Sequence, residues 1–278
     1  MHARAGSRLT LQTFTFIGVS TGQSAATRLF PAWTTELGLG DVRLVGCDLP
    51  IHAPPDRYRE VVARIKTDEH ELGGLVTTHK IDVFEACRDL FDVVDDYAQL
   101  CGETSCLAKR NGQLWAFATD PISCGRALAE FYSLAERGEV LCLGAGGWAV
   151  AITVHLRQQR SASHITGTND RLIGDLPAGS LVINATGMGK DTPGSPITEA
   201  AIFPERGYVW ELNYRGELEF LYQAQRQQAG RHLRVEDGWR YFIHGWAAVM
   251  ERVFAMDVDG EKIARLARVS ESERPKRG

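Results

Sequence analysis

Two glycine-bearing turns and one lysine–aspartate pair carry most of the chemistry that this 278-residue sequence offers. The first turn, Gly144-Ala145-Gly146-Gly147, follows at once on an apolar stretch at 139–143 that reads as a buried strand, and a helical pattern opens at Trp148. A strand, a glycine turn and a helix in that order aim backbone N–H groups and a helix N-terminus at one point, which suits a pyrophosphate. The same glycines could simply let strand and helix approach closely, because a glycine motif gains meaning only from its context. The second turn, Gly187-Met188-Gly189, follows Asn184-Ala185-Thr186 at the end of a strand at 181–184, where a parallel sheet presents it at the same carboxyl edge. It could border a nicotinamide ring or be an ordinary turn. Lys80 lies just beyond a strand at 73–77 and Asp120 just beyond one at 114–118, so both would face a common cleft. Singly, each reads as a solvated charge. Paired, they suit hydride chemistry. A hydride arriving at a ketone carbon leaves charge on oxygen, and an ammonium held by a carboxylate can donate the proton while stabilising that charge.

Such residues need a sheet to hold them in line. Strand patterns at 13–19, 42–47 and 73–77 alternate with helical patterns at 29–37, 58–66 and 83–90, an order that predicts parallel pairing. Strands at 105–109 and 114–118 meet through Asn111-Gly112, the strongest hairpin signal in the chain. A helix is expected at 124–135, further strands at 164–167, 181–184 and 208–212, and later helices at 218–229, 239–256 and 261–269. Only residues 168–180 separate two of these strands, and Gly174, Pro177 and Gly179 lie among them, so a full helix–strand unit does not fit there.

Composition narrows the function classes. With 44% hydrophobic and 24% charged residues the chain is of ordinary globular type, and its length exceeds what a single core usually needs, which favours two domains. A net charge of -4 with scattered Lys and Arg supplies no basic field for nucleic acid. No apolar run is long enough to span a bilayer and residues 1–10 lack a signal-peptide core, so a cytoplasmic protein with no membrane partner is expected. Six cysteines without a paired framework and eight histidines without a His-Glu-x-x-His pattern point to neither disulfides nor a metal. No Gly-x-Ser-x-Gly elbow suggests a hydrolase.

The order of motifs is informative as a set: the loop at 18–27, Val76-Thr77-Thr78-His79-Lys80, the segment 102–106, Ala118-Thr119-Asp120, the Gly144 turn, Asn184-Ala185-Thr186-Gly187-Met188-Gly189, Glu211-Leu212-Asn213-Tyr214, and Asp237-Gly238 opening a late helix. In this order the sequence resembles the shikimate dehydrogenases over nearly its whole length. The resemblance implies a two-domain α/β fold. An N-terminal α/β substrate domain, 1–119, would be completed by C-terminal helices at 238–278 around a shortened Rossmann-like cofactor domain at 120–237. It implies Lys80 and Asp120 as the catalytic pair and Ser24, Thr77, Ser105, Tyr214 and His244 as substrate contacts. Gly144, Gly146, Gly147, Trp148, Thr168, Asn184, Thr186, Gly187 and Met188 would bind NADP or NAD. The substrate would be a small polar cyclic molecule, and the protein a monomer or homodimer.

The departures from that family bear on the substrate. Where family members carry two serines in the first loop, this chain has Ser24 and Ala26; Ser105, Cys106 and Ala118 replace residues that usually contact substrate hydroxyls, and Thr78 replaces a proline. Polar sites with altered partners discriminate against the original substrate steeply, so the expected substrate is a relative of shikimate, a cyclic polyol or hydroxy acid. Arg171 or Asp170 would decide between NADP and NAD. Two other readings compete. One is a ligand-binding or regulatory protein derived from such a dehydrogenase; the other is a one-carbon folate dehydrogenase, which shares the two-domain plan and a cleft lysine.

Overall fold

The computed structural model describes residues 11–133, 138–144, 147, 149–152, 163–166, 170–190 and 192–276. It divides into two compact units: one runs to Ala118 and includes Val249–Glu273, and the other takes Thr119–Ala248 with the stretch from Arg274.

The first unit is built on a six-stranded sheet in the order β2-β1-β3-β5-β6-β4. β1 (Gln12–Gly18) lies between β2 (Val42–Asp48) and β3 (Glu71–Val76), parallel to both. Helices α1 (Ala25–Leu37) and α2 (Pro55–Thr67) make the crossovers that parallel neighbours require. α1 starts where the Ser24 side chain accepts a hydrogen bond from the Ala26 N–H and stops at Gly38, whose φ of 66° closes the last turn. Its buried stripe of Ala25, Leu29, Phe30 and Trp33 has helical spacing. β5 (Cys106–Arg110) and β6 (Gln113–Phe117) form an antiparallel hairpin. Both turn residues, Asn111 at φ 51° and Gly112 at φ 75°, adopt the left-handed conformation that a tight two-residue hairpin needs, as the sequence predicts. The short β4 (Val93–Val94), α3 (Lys80–Ala86) and α4 (Asp96–Cys101) complete this part. α9 (Gly260–Ser270) returns late in the chain to α1, where the Trp33 indole donates to Ser270 Oγ at 2.8 Å.

The second unit carries five parallel strands, β7 (Val140–Leu143), β8 (Ser163–Thr166), β9 (Leu181–Asn184), β10 (Tyr208–Glu211) and β11 (Arg234–Glu236), in the order β11-β10-β9-β7-β8. Both faces are covered, and the strands read as apolar runs for that reason. Val140, Cys142, Leu181, Ile183 and Trp210 point into one cluster with Cys124, Leu128 and Phe131. The alternate residues Leu141, Leu143, Val182 and Val209 join a second cluster with Ile173, Phe203 and Phe220. Between β8 and β9 the described residues hold only the short α6 (Asp170–Gly174), so the shortening expected at 168–180 is present. α5 (Asp120–Ala129), α7 (Glu219–Arg231) and α8 (Trp239–Phe254) supply the remaining helices, and no helix among the described residues is long and apolar enough to cross a membrane.

The sequence expectation for α5, a helix at 124–135, needs correction. The helix opens at Asp120, because Pro121 is well suited to a first turn that needs no backbone donor, and it ends at Ala129. The strand β11 and helices α4 and α6 were not anticipated either. They are three to six residues long, too short for hydrophobic periodicity to register.

Candidate functional site

In the first unit the candidate residues collect at the carboxyl edge of β1 and β3. Thr21, just after β1, places both its N–H and its hydroxyl on Asp48 Oδ1, at 2.8 and 2.6 Å, which ties the loop to the end of β2. Ser24 is buried and its oxygen caps α1, accepting from Ala26 N at 3.3 Å. The Thr77 N–H bonds the Ile17 carbonyl at 3.0 Å, and its methyl lies so close to Gly18 that a side chain there would collide with it.

The chain then makes a three-residue turn in which the His79 N–H returns to the Thr77 carbonyl, and Thr78 at its centre has φ 57°. A β-branched residue in the left-handed region is strained. His79 anchors the next step, with its ring 1% exposed, Nδ1 3.2 Å from the Tyr58 hydroxyl and Nε2 3.1 Å from the Leu49 carbonyl. It is thus part of the core and does not line an open site. Lys80 opens α3 and is 9% exposed, and its carbonyl accepts from Thr104 N at 3.1 Å. The adjoining Ser105 bridges strands, donating from its N–H to Phe117 O and accepting at its carbonyl from Val76 N, both at 2.9 Å. Ser24, Thr77, Lys80 and Ser105 therefore share one edge of the first unit.

In the second unit the strand order reverses between β7 and β9, with β8 on one side of β7 and β9 on the other. A sheet of this kind binds ligands at the carboxyl ends of the two strands that flank the reversal. Gly144 leaves β7 there with φ 131°, and a Cβ on it would lie 2.8 Å from the Ala185 carbonyl oxygen. Any other residue would push the two turns apart, so glycine is required. Gly147 is helical, while Gly146, Trp148 and Thr168 lie outside the described residues.

Across the reversal, Asn184 Oδ1 accepts from Thr186 N and Thr186 Oγ1 at 3.1 and 2.7 Å, and Thr186 Oγ1 in turn accepts from Met188 N at 3.2 Å. The Asn184 amide nitrogen donates to Glu211 Oε2 at 2.6 Å. Glu211, at the end of β10, is fully buried, and burial pushes its carboxyl up to about 7 against the hydrogen bonds from Asn213 and Asn184. Asn184, Thr186, Gly187 and Met188 are thus gathered at one edge with Gly144. In the sequence Glu211 and Asn213 stand only as motif positions. The signal for a role was present, since a charged residue closes a strand that is otherwise buried on both faces.

Asp120 is the first residue of α5 and 6% exposed. His244, by contrast, is tied to the far end of the same helix: its Nε2 lies 2.8 Å from Glu130 Oε1, just past Ala129. Ten helical residues span about 15 Å, so Asp120 and the Glu130 partner of His244 stand at opposite ends of α5, and at 3% exposure His244 does not face solvent. Arg240 grips the same Glu130 with two hydrogen bonds at 2.6 and 2.7 Å; against the opposing effect of burial, His244 and Arg240 together hold Glu130 down at about 2. The half-buried Tyr214 ring packs 5.4 Å from Trp239 and 4.5 Å from Phe242. Asp170 accepts from both the N–H and the hydroxyl of Thr198, while Arg171 is a surface residue 3.6 Å from Asp175. Neither geometry selects between NADP and NAD.

No family model matches the chain. A shikimate dehydrogenase (NADP(+)) of Thermus thermophilus is 29% identical over 206 residues, covering 69% of this chain and 73% of that protein. One from Symbiobacterium thermophilum is 26% identical over 252 residues, covering 77% of this chain and 81% of that protein. The chain is similar to the shikimate dehydrogenases. A solved shikimate 5-dehydrogenase from Thermus thermophilus, in complex with NADP(H) and shikimate, superposes with a TM-score of 0.73 at 23% identity, over 93% of this chain and 99% of that one. A chorismate mutase/shikimate 5-dehydrogenase fusion protein from Clostridium acetobutylicum gives 0.78 at 19% identity, over 96% and 99%. The ligand-free form of a 5-ketofructose reductase from a Gluconobacter species gives 0.68 at 18% identity, over 95% and 99%. The fold is thus the two-domain, Rossmann-like fold of the shikimate dehydrogenases, and proteins named for different substrates share it.

Proposed function

We propose that this protein is an NAD(P)-dependent dehydrogenase acting on the secondary alcohol or ketone of a small cyclic polyol or hydroxy acid, with Lys80 and Asp120 as its catalytic pair. The observation that carries the reading is the pairing of Gly144 with the Ala185 carbonyl at the strand-order reversal. There the missing side chain lets the turn after β7 pack directly on the Ala185 backbone, which brings the two glycine-bearing segments together at the carboxyl edge, where a sheet of this kind takes a dinucleotide. Gly144, Gly146, Gly147 and Trp148 would hold the phosphates and Thr168 the adenosine end, and Asn184, Thr186, Gly187 and Met188 would border the nicotinamide. The relatives are named for NADP, which supports that cofactor.

When bound, the nicotinamide supplies or accepts the hydride. The chain's own residues handle the proton. In reduction, Lys80 delivers it to the substrate oxygen and its ammonium offsets the charge that develops there; in oxidation the amine takes the proton back. In this reading Asp120 would be the carboxylate that keeps such an ammonium charged. Thr77, Ser105 and Tyr214 offer hydroxyls to a polyol. Ser24 already caps α1, and alanines at 26 and 118 offer no polar partner, so shikimate itself is a poor fit.

The same departures favour a second reading, a ligand-binding protein without hydride transfer. A screen of ring polyols and cyclic ketones, read by nicotinamide absorbance, separates the two. Turnover at enzyme-like rates that is lost in Lys80→Ala supports the dehydrogenase; ligand affinity without turnover supports the binding protein.

A further inference from the structure

We infer that Glu211 is a positioning residue that sets the cofactor-side turn Thr186–Gly187–Met188 by holding two asparagines at once. The inference rests on the dehydrogenase reading for what the turn touches, and on the geometry of the second unit for how the turn is held. Glu211 is 0% exposed and offers no surface of its own to a ligand. Its two oxygens divide their work. Oε2 accepts from the Asn184 amide at 2.6 Å, and Oε1 accepts from Asn213 N at 2.8 Å and from the Asn213 amide at 2.7 Å.

Both asparagines then reach the turn. With its nitrogen fixed by Glu211, Asn184 presents only its oxygen to Thr186, where it takes the N–H and the hydroxyl together. Thr186 Oγ1 relays that order to Met188 N. From the other side the Asn213 amide reaches the Met188 carbonyl at 3.3 Å. The orientation of Asn213 shows which group dominates: its nitrogen faces Glu211 and Met188, while its Oδ1 is buried with no hydrogen-bond partner among the described residues. Leaving a buried acceptor unsatisfied is costly, and a carboxylate accepting from that amide is the local reason for it. One buried carboxylate thereby chooses the amide orientation of two side chains and, through them, the position of three backbone groups at the reversal.

Among the described residues, the groups that hydrogen-bond Glu211 are all donors, so the arrangement needs the ionised form. Protonation adds a donor where only donors stand. Burial raises the carboxyl, the hydrogen bonds from Asn213 and Asn184 and, less, the Lys190 ammonium favour ionisation, and the balance leaves it near 7. The turn is held as drawn above that pH and loosened below it.

The test is backbone amide exchange at Thr186 and Met188 across a pH series, corrected for intrinsic rates, together with NADPH affinity on the same samples. Glu211→Gln turns an amide nitrogen toward Asn184 and sets donor against donor. Exchange at both amides should rise roughly tenfold, the equivalent of one lost hydrogen bond, and NADPH affinity should fall by a similar factor. Adding Asn184→Asp to Glu211→Gln places an acceptor opposite the new amide and should restore both readings, which a loss of general stability would not do. If Glu211→Gln does not fold, the intact protein still decides: the exchange at Thr186 and Met188 must rise as pH drops through about 7. Exchange that is unchanged in the variant, or flat with pH in the intact protein, overturns the inference. Failure of the intact protein to bind NADPH or NADH overturns the dehydrogenase reading instead, because the exchange measurement needs no cofactor.

Discussion

The two sheet edges use their polar residues differently. At the edge of the second unit, Asn184, Thr186, Glu211 and Asn213 form one connected set whose hydrogen bonds converge on a turn, and Gly144 lets a neighbouring turn pack against it. At the edge of the first unit, polar side chains serve the fold locally: Ser24 caps α1, Thr21 ties to Asp48, and His79 bonds Tyr58 and the Leu49 carbonyl. A ligand that meets backbone and glycine needs the first kind of edge, and the requirement is the same for any nicotinamide cofactor. A substrate edge needs side chains whose oxygens are not engaged in capping. The difference teaches that the two edges are built on different plans, one a connected set around a turn and the other a group of local caps and ties, so that they can be altered separately.

Four changes would break or sharpen that contrast. Lys80→Ala on the substrate edge should lower turnover by roughly 10³ while leaving NADPH affinity within about twofold, since removal of a proton donor that also stabilises charge costs on that scale. Equal losses in turnover and cofactor affinity would merge the two edges. Next in size is the pH dependence of folding from Glu211. Its folded-state value near 7 lies above the ordinary 4.5, so the native state binds more protons between these values. Stability is full below about 4.5 and lost as pH rises to about 7, by on the order of 3 kcal/mol. Denaturant midpoints over that window should decline in the intact protein and decline less in Glu211→Gln. Glu130 has the opposite sign, its stabilisation being present above about 4.5 and lost toward pH 2.

Gly144→Ala on the cofactor edge should cost about 1–3 kcal/mol of stability, from the left-handed backbone and the collision with Ala185 O, and weaken NADPH binding. Calorimetry with and without NADPH reads both. The smallest effect is expected at Thr78→Gly, where relief of a strained φ of 57° should raise stability by up to about 1 kcal/mol. If the strained turn aims Lys80, the same variant will lower turnover without altering cofactor affinity; unchanged kinetics would remove Thr78 from the account.

Much of this contrast was legible in the residues, and the exceptions have physical causes. The parallel strands of the second unit are apolar runs closed by glycine turns, a pattern that periodicity and composition report directly, and Asn111-Gly112 announces its hairpin because only left-handed residues close it. β11, α4 and α6 escaped because a few residues carry no period. The start of α5 at Asp120 was hidden because a helix led by proline reads as a break. At the sites, Gly144 and the Asn184-to-Met188 segment stood out by their placement. Glu211 stands beside Asn213, but its role depends as much on Asn184 at the end of β9, and a bond between segments 27 positions apart leaves no spacing in one sequence. The bond between His244 and Glu130 leaves no signal for a similar reason: the two lie 114 positions apart.

The central claim is that the edge around Gly144 and Asn184 receives a nicotinamide dinucleotide. The direct measurement is a titration of the protein with NADPH and then NADH, followed by tryptophan emission, with Gly144→Ala alongside. Saturable binding of NADPH at micromolar concentration, weakened in the variant, is the predicted result. Binding of neither cofactor would contradict the account and leave the ligand-binding reading in its place.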